Sequence, residues 1–283
     1  MPVYIEDISS GQENIKISFL NEVNSYEPPT TVSYTLNCVL TSESLAENFE
    51  SISLPCHCKD DCTSDCTCSA SQAYNSGKLS ETYDHHFGKP IIECSDLCSC
   101  NENCRNKVAQ FGIKFSLQVF QTHNRGFGVR TMEFIPKSSF VCEYAGEIID
   151  DVEAQYRISK QAADDSNYIY VLKEHSCEDK CAHTIIDPTY VGNVGRYLNH
   201  SCSPNLISVP IRSNNMVPRI CFFAKSDILP LQELSYNYGG ECVSRTDSST
   251  FCKDQQISRA RKCLCLSSNC CGFLPFVFDN WLS

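Results

Sequence analysis

Residues 195–205 read GRYLNHSCSPN, and this stretch is the most specific pattern in the chain. Within four positions it joins the amide of Asn199, the imidazole of His200 and the thiol of Cys202, and a proline then ends the segment. In isolation, such a histidine is usually a hydrogen-bonded core residue, and Arg196 would be a surface ion pair. A functional interpretation therefore depends on the sequence around the motif.

The end of the chain supplies partners for Cys202. The pattern Cys263-x-Cys265-x4-Cys270 offers three thiolates, whereas a structural zinc ion takes four ligands at tetrahedral corners. Cys202 is the best candidate for the fourth ligand, and this zinc ion would tie the tail to the centre of the domain. Cys271 stands beside Cys270, and we prefer Cys270 as the ligand because of its spacing.

Upstream, two clusters of cysteines are separated by the polar stretch 69–89, which we interpret as a surface loop. Nine thiolates do not divide by four, but sharing three of them fills three tetrahedral zinc ions in a triangular cluster. Buried thiols or disulfides are the alternative, which four C-x-C pairs without a secretion signal disfavour. The nine residues are Cys56, Cys58, Cys62, Cys66, Cys68, Cys94, Cys98, Cys100 and Cys104. We interpret one further set as a polar surface loop rather than a metal site: His175, Cys177, Cys181 and His183.

Composition narrows the class of protein. The chain has 283 residues, 20% of them charged, with a formal net charge of −11, which excludes a disordered or collagen-like protein. No apolar run approaches the ~18 residues of a membrane span, and the start MPVYIEDISS lacks a signal-peptide pattern. We therefore expect a soluble intracellular protein without membrane contact. The acidic charge favours a Lys/Arg-rich peptide as partner and disfavours direct DNA binding.

From residue 115 onward, short alternating runs predict the strands of a β-rich domain: FSLQVF, SSFVCEY, NYIYVL and RICFFA. One helix is expected after a cap at Asp150 or Asp151, with Val152, Tyr156 and Ile158 facing inward. The acidic first 53 residues are interpreted as a flank that could wrap on this core.

The order of these motifs resembles one known arrangement. The nine cysteines are followed by NRGFGVR, EYAGEII, SNYIY, GRYLNHSCSPN, ELSYNYG and C-x-C-x4-C. This order is similar to the pre-SET, SET and post-SET modules of histone-lysine methyltransferases of the suppressor-of-variegation class. The resemblance implies a mostly β (α+β) SET-domain fold of small curved sheets, with short helices and a knot-like C-terminal threading.

The same resemblance divides the chain into segments. They are an acidic N-terminal flank (1–53), a pre-SET zinc-cluster domain (54–112), a SET catalytic domain (115–239), a mobile linker (240–258), a post-SET zinc module (259–275) and a C-terminal tail (276–283).

The resemblance also implies an S-adenosylmethionine-dependent protein-lysine methyltransferase and assigns its site residues. Tyr238 takes the catalytic position, and Tyr144 is the second tyrosine of the lysine channel. A tyrosine at position 236, where a phenylalanine would leave space for a third methyl group, predicts that Tyr236 limits the product mainly to mono- or dimethyl-lysine. The implied cofactor-binding residues are Arg125, Gly126, Phe127, Tyr168, Arg196, Asn199 and His200. Relatives usually carry Trp where Phe127 stands, so weaker cofactor binding is expected.

The implied substrate is the histone H3 tail at lysine nine or lysine thirty-six, laid as an added strand beside the SET domain. Four acidic residues are interpreted either as guides for this tail or as ordinary solvated charges: Glu147, Asp164, Asp165 and Asp187. A chromatin-associated, nuclear location follows from the resemblance, since no basic run is stronger than RARK at 259–262. The alternative function is a zinc-stabilised module that binds histone tails or chromatin partners without turnover.

Overall fold

The computed structural model describes residues 2–28, 31–41, 45–47, 54–62, 66–68, 73–83, 91–162, 166–175, 181–240 and 261–275. Strands dominate these residues beside the α-helix Asp151–Lys160, which confirms the predicted mostly β fold with short helices. None of the helices in these ranges is both long and apolar enough to cross a membrane. The strands are β1 Val3–Ile5, β2 Ser18–Asn21, β3 Ser33–Tyr34, β4 Val39–Leu40, β5 Tyr74–Asn75, β6 Lys78–Leu79, β7 Ile91–Ile92, β8 Leu117–Gln121, β9 Phe127–Thr131, β10 Phe140–Tyr144, β11 Gly146–Ile149, β12 Tyr170–His175, β13 Cys181–Gly192, β14 Asn199–His200, β15 Leu206–Arg212, β16 Arg219–Ala224 and β17 Glu233–Tyr236.

Some predictions fall on other parts of the chain. The linker predicted at 240–258, apart from its first residue, and the tail at 276–283 lie outside the described residues. The same holds for Asp164, Asp165, Cys177 and the side chains of His175 and Cys181. The segment boundaries given above remain predictions.

Three sheets share one core. The first runs β1-β2-β8-β9-β17-β14, the second β10-β16-β15-β7, and the third β12-β13-β11-β4 with β3 beside β13. Phe19 from the first sheet, Phe222 from the second and Ile186 from the third belong to the same buried cluster. Because each sheet buries one face against the others, the short strands are stabilised by mutual packing rather than by their own length.

Residues 2–28 and 31–40 pack into this body. β2 pairs in parallel with β8, β3 with β13 and β4 with β11. Ile17 and Phe19 are fully buried. The expected flank therefore contributes strands to two sheets, although strands of two to four residues carry too little alternation to be recognised in the sequence.

The sequence predicts a surface loop at 69–89, but the described residues of this stretch, 73–83, are partly buried in the protein. β5 and β6 form a small antiparallel hairpin within it, and Ala73 and Leu79 are buried in a second core cluster. The polar residues around these two positions concealed the contact, since burial of a few apolar side chains leaves no periodic pattern.

The helix begins at the predicted cap, because the Asp150 carboxylate accepts a hydrogen bond from the Glu153 N–H at 2.9 Å. The predicted inward face is wrong at two positions: Val152 is 77% and Tyr156 58% exposed. Ala154 is the buried residue instead, packed with Ile149 and Ile185. A small side chain lets the helix approach the sheet closely, so its contact stripe is narrower than the apolar pattern suggested.

Glu147 and Asp187 are neither solvated charges nor free guides for a substrate. Arg157 donates hydrogen bonds to Glu147 (2.7 Å) and Asp187 (2.8 Å), and both acidic side chains are almost entirely shielded from solvent. Arg157 follows Ala154 by three positions and therefore lies on the same helix face. The pair joins the helix to β11 and β13, an ionic contact that hydrophobic periodicity cannot reveal.

Glu93 connects the cysteine region to the second core. Its buried carboxylate accepts hydrogen bonds from the Tyr74 hydroxyl (2.7 Å), from the N–H groups of Val108 (2.9 Å) and Ala109 (2.7 Å), and from the Gln110 side chain (2.8 Å). One carboxylate thereby satisfies donors from the β5–β6 hairpin and from the start of the 3-10 turn Ala109–Phe111. The cysteine region and the sheets consequently form a connected structure.

Candidate functional site

The nine sulfur atoms of the first cysteine region lie together. Eight of them form overlapping groups of four, within each of which the sulfur atoms lie within 4.8 Å of one another. Cys104 is buried against Cys62 and Cys100. The groups are Cys56, Cys58, Cys62 and Cys66; Cys56, Cys68, Cys94 and Cys98; and Cys56, Cys62, Cys94 and Cys100.

Three sulfur atoms belong to more than one of these groups, namely those of Cys56, Cys62 and Cys94. The Cys62 sulfur lies 3.6 Å from that of Cys56 and 3.3 Å from that of Cys94. The 17 cysteines with described side chains form no disulfide bonds with one another. Cys56 is common to all three groups, and Cys62 and Cys94 each belong to two. The sequence arithmetic likewise required three shared sulfurs for three tetrahedral ions.

The donor set of these groups fits zinc. In the described part of the chain the groups contain only cysteines, and soft thiolate ligands in fours are the preference of structural zinc sites. Burial raises the pKa of the Cys100 thiol to about 11 and that of the Cys68 thiol to about 12. A divalent cation would offset this penalty because it stabilises the thiolate form.

A fourth group joins the C-terminal region to the GRYLNHSCSPN segment. It consists of Cys202, Cys263, Cys265 and Cys270, with the sulfurs of Cys202 and Cys263 3.9 Å apart. Cys271 is exposed and outside this group, although its N–H donates to the Cys202 sulfur at 3.4 Å. The geometry thus brings together the four residues predicted from spacing.

Tyr238 follows β17 and lies next to the fourth sulfur group. Its hydroxyl donates to the Leu198 carbonyl oxygen at 2.8 Å, and its N–H donates to Nδ1 of His200 at 3.2 Å. Nε2 of His200 is 3.3 Å from the sulfur of Cys202. Burial, together with the positive charge of Arg125, lowers the pKa of His200 to about 4, so the imidazole is neutral. His200 therefore connects a sulfur of the fourth group to the backbone of Tyr238.

Tyr144, Tyr236 and Tyr238 belong to one cluster of aromatic rings. Tyr236 lies at its centre, with ring centroids 4.8 Å from Tyr238 and 6.4 Å from Tyr144. Two members, Tyr170 and Phe222, were not predicted; their centroids lie 6.3 Å and 4.7 Å from that of Tyr236. Tyr170 stands in the quoted motif SNYIY and Phe222 in the strand RICFFA, but neither motif shows that its strand reaches this cluster.

The hydroxyl groups of this cluster are neutral. Burial is the largest cause that raises the pKa of Tyr144, Tyr236 and Tyr238, and neighbouring tyrosines raise it further. The Tyr144 hydroxyl donates to the Tyr168 carbonyl oxygen at 2.5 Å, and the Tyr170 hydroxyl lies 3.2 Å from Oγ of Ser208. Neutral phenols can donate hydrogen bonds while their ring faces attract a cation.

The segment Arg125 to Phe127 forms a tight turn before β9. Gly126 has a φ of +69°, in the left-handed region that favours glycine, and a side chain there would meet only open space. The Thr122 hydroxyl holds the turn by donating to the Gly126 carbonyl oxygen at 2.7 Å. The predicted cofactor segment is therefore a fixed turn with free space beside it.

Glu233 holds this turn against Asn199 and is a site residue that sequence reasoning missed. Its carboxylate accepts hydrogen bonds from Arg125 (2.5 Å) and from the Asn199 amide (3.0 Å), and the same amide donates to the Phe127 carbonyl oxygen at 3.0 Å. A side chain at Gly128 would come within 2.9 Å of Glu233, so the glycine is needed for this approach. Glu233 opens the motif ELSYNYG, but only the tyrosines of that motif were assigned roles.

Arg196 lies on the 3-10 turn Val194–Tyr197 and is almost fully buried. Nε donates to the Pro188 carbonyl oxygen at 2.9 Å, and the guanidinium lies 4.3 Å from the ring centroid of Tyr168. Its Nη1 is buried and has no hydrogen-bond partner among the described residues. A buried, unpaired cationic donor fits the carboxylate of an amino-acid ligand.

Comparison with protein families agrees with this geometry. The SET domain model matches residues 126–239, and the Pre-SET motif model matches residues 9–107. The first model thus includes the aromatic cluster around Tyr236, and the second includes the nine cysteines of the first cysteine region. The chain belongs to the SET-domain family of histone-lysine N-methyltransferases, which confirms the resemblance stated above.

Among its relatives is the rat (Rattus norvegicus) histone-lysine N-methyltransferase SETMAR, 49% identical over 194 residues, which are 67% of this chain and 60% of that protein. The chain thus matches less than two thirds of the length of this relative. The crystal structure of the methyltransferase domain of human SETMAR has a TM-score of 0.78 at 35% identity, with 96% of this chain and 98% of that chain covered. A structure of KRYPTONITE in complex with mCHH DNA, H3(1-15) peptide and SAH has a TM-score of 0.73 at 28% identity, covering 96% of this chain and 54% of that chain.

Proposed function

We propose that this chain is an S-adenosylmethionine-dependent protein-lysine methyltransferase that acts on the tail of histone H3. One observation carries the proposal: the neutral hydroxyl of the half-buried Tyr238 is fixed on the Leu198 carbonyl oxygen, and its ring packs on that of Tyr236. Phe127 and Arg196, from the candidate cofactor segments, are joined to each other through the ring of Tyr197. A lysine amine that enters the cluster would meet aromatic faces and oriented hydroxyls instead of water.

In this proposal the chain's own residues align and desolvate the amine. S-adenosylmethionine, when bound, supplies a sulfonium methyl group. The ring faces of Tyr144 and Tyr236 pack on the lysine stem, and an apolar environment lowers the pKa of the amine so that it loses its proton. The Tyr238 hydroxyl then orients the neutral nitrogen for in-line transfer, and no covalent intermediate with the protein is needed.

We assign the cofactor to the surface formed by Arg125, Gly126, Phe127, Tyr168, Arg196, Asn199 and His200. Arg196 would pair its free Nη1 with the carboxylate of the cofactor, beside the ring of Tyr168. Gly126 would let the backbone approach the ligand closely. Because both ring nitrogens of His200 contact groups of the protein, its imidazole would position Tyr238 rather than bind the cofactor directly.

The twelve cysteines of the four groups, together with Cys104, would hold about four zinc ions per chain. Cys56, Cys62 and Cys94 would each bridge two ions of a three-zinc cluster, and Cys104 would complete the ion that Cys62, Cys94 and Cys100 bind. The fourth ion would bind at the Cys202 group and fix the C-terminal segment next to Tyr238.

The substrate would add a strand beside β12. This strand pairs with β13 on one side and, within the described ranges, with no strand on the other. Such an edge strand has unpaired backbone groups to which an extended peptide can hydrogen-bond. The related KRYPTONITE structure contains an H3(1-15) peptide, and the net charge of −11 favours a basic tail. Lysine nine and lysine thirty-six of H3 are the proposed targets. A chromatin-associated location in the nucleus and the lack of direct DNA binding belong to the same proposal.

A transfer assay tests this function. The chain is incubated with methyl-labelled S-adenosylmethionine and H3 tail peptides, each paired with a control peptide in which arginine replaces the target lysine. Label should appear only on the peptides that retain the target lysine. If peptides bind but neither they nor intact histones acquire label, the chain is instead a histone-binding module without turnover.

Replacing Tyr236 by phenylalanine should change the degree of methylation. The tyrosine hydroxyl occupies part of the space beside the target nitrogen, so Tyr236→Phe should convert a product of mainly mono- and dimethyl-lysine into mainly trimethyl-lysine. Mass spectrometry after an exhaustive reaction measures the distribution. Tyr4→Phe, an exposed change on β1, is the control. A wild-type product that is already mostly trimethyl-lysine would refute this assignment.

A further inference from the structure

The N-terminal strand β2 touches the candidate cofactor segment through a single ring. Phe19 is fully buried, and its ring centroid lies 5.3 Å from that of Phe127, in an edge-to-face arrangement at 74°. Phe19 is paired with Val119 of β8, and β8 in turn pairs with β9, which begins at Phe127. The hydrogen-bonded pairings of β2 with β8 and of β8 with β9 thus fix the distance between the two rings.

The contact continues beyond Phe127. The Phe127 ring meets Tyr197 edge to face at 6.0 Å, and the guanidinium of Arg196 lies 5.0 Å from the Tyr197 ring and 4.3 Å from the Tyr168 ring. The chain of contacts from Phe19 to Tyr168 therefore includes four of the proposed cofactor residues or their direct neighbours. No motif indicated it, because β2 lies about one hundred positions before Phe127 in the sequence.

From this geometry we infer that Phe19 is a positioning residue for the cofactor, acting through Phe127. The inference rests on the proposed function and concerns the same site. Phe127 begins β9 and is only half-buried, so part of it remains accessible to a ligand, while Phe19 and Tyr197 pack edge to face against its ring. Edge-to-face pairs favour a particular ring orientation beyond the area that they bury. Without the Phe19 ring, the Phe127 side chain would adopt more orientations. Cofactor binding would then have to restrict them, which weakens the affinity.

The second core contains a matched control. Phe223 is also fully buried and packs edge to face on Phe140, with centroids 5.7 Å apart at 73°. It belongs to the other buried cluster, with Ile91 and Leu79, and not to the aromatic groups around the candidate site. Phe19→Leu and Phe223→Leu remove the same ring from two fully buried positions, so general destabilisation should affect both proteins alike.

Binding of S-adenosylhomocysteine by calorimetry, together with steady-state kinetics, tests the inference. Phe19→Leu should raise the dissociation constant and the KM for S-adenosylmethionine about fivefold, with the KM for the H3 peptide unchanged and kcat within about twofold. Phe223→Leu should leave all of these values near those of the wild-type chain. If the leucine variants do not fold, Phe19→Met and Phe223→Met retain more volume and replace them.

A double-mutant cycle identifies the route. If Phe19 acts through Phe127, Phe19→Leu should have no further effect on cofactor binding in a Phe127→Leu background. Equal effects of Phe19→Leu and Phe223→Leu, or additive effects of Phe19→Leu and Phe127→Leu, would overturn the inference while leaving the methyltransferase function intact. A wild-type chain that binds neither S-adenosylhomocysteine nor S-adenosylmethionine would overturn both.

Discussion

Replacing Tyr238 by phenylalanine should reduce kcat for methyl transfer by about 100-fold or more while S-adenosylhomocysteine still binds. The variant keeps the ring that packs on Tyr236 and His200 but loses the hydroxyl that is fixed 2.8 Å from the Leu198 carbonyl oxygen. The amine would then lack its orienting partner, and misalignment of a bimolecular transfer by even about 1 Å costs roughly this factor. Burial of the ring, and hence its contribution to stability, should change little.

The measurement compares single-turnover transfer to an H3 tail peptide with calorimetric binding of S-adenosylhomocysteine. Tyr156→Phe, which removes an exposed hydroxyl on the helix, is the matched control and should retain full activity. Transfer by Tyr238→Phe within twofold of wild type would show that another group orients the amine. A variant that loses cofactor binding and activity together would indicate damage to the fold around His200 instead.

Disrupting a shared sulfur should have the second large effect. Cys94 belongs to two of the four-sulfur groups and follows Glu93, whose carboxylate connects the cysteine region to the second core. Cys94→Ser should therefore release most of the zinc of the first cysteine region. The cooperative unfolding transition should disappear, or its melting temperature should fall by about 10 °C or more. Structural zinc contributes folding free energy directly, on the order of 10 kcal/mol per ion in small zinc domains.

Zinc content by elemental analysis and thermal unfolding by circular dichroism measure this effect. Cys271→Ser is the control, because Cys271 is exposed and outside the groups; its zinc content should equal that of the wild-type chain. Cys202→Ser should release about one ion and reduce activity, since this group holds the C-terminal segment beside Tyr238. A chain that keeps its melting temperature and its far-ultraviolet spectrum in a strong chelator would contradict the zinc assignment.

The clustering of the cysteines could be predicted from sequence because the proposed zinc chemistry depends on residue type and spacing. Thiolates that bind one ion must lie within a few ångströms, and closely spaced cysteines on loops achieve this without a large core. The structure gathers twelve of the thirteen predicted sulfurs into four groups, and the group at Cys202 contains Cys270 rather than Cys271, as the spacing indicated. Which sulfurs are shared depends on the path of the loops, and spacing leaves that open.

Residues that act through contacts between distant strands were not accessible in the same way. Glu233 holds Arg125 across a separation of more than one hundred positions, and Tyr170 reaches the aromatic cluster from a strand of another sheet. The helix was located correctly, but its buried face depends on Ala154 and on the ion pairs of Arg157 rather than on its larger apolar residues. The hydrophobic periodicity of a segment predicts its local secondary structure. It does not predict which surface of the protein that helix or strand will pack against.

The order of residue types along the chain is enough to define the family, the thiolate sets and the tyrosines that carry the proposed chemistry, because each of these depends on short-range spacing. The pairing of β2 with β8, the ring contacts from Phe19 to Arg196 and the central place of Tyr236 arise when strands far apart in the chain bury their apolar faces together. Such contacts are set by the packing of the whole core, in which a distant segment can support a ligand site as directly as a neighbouring one.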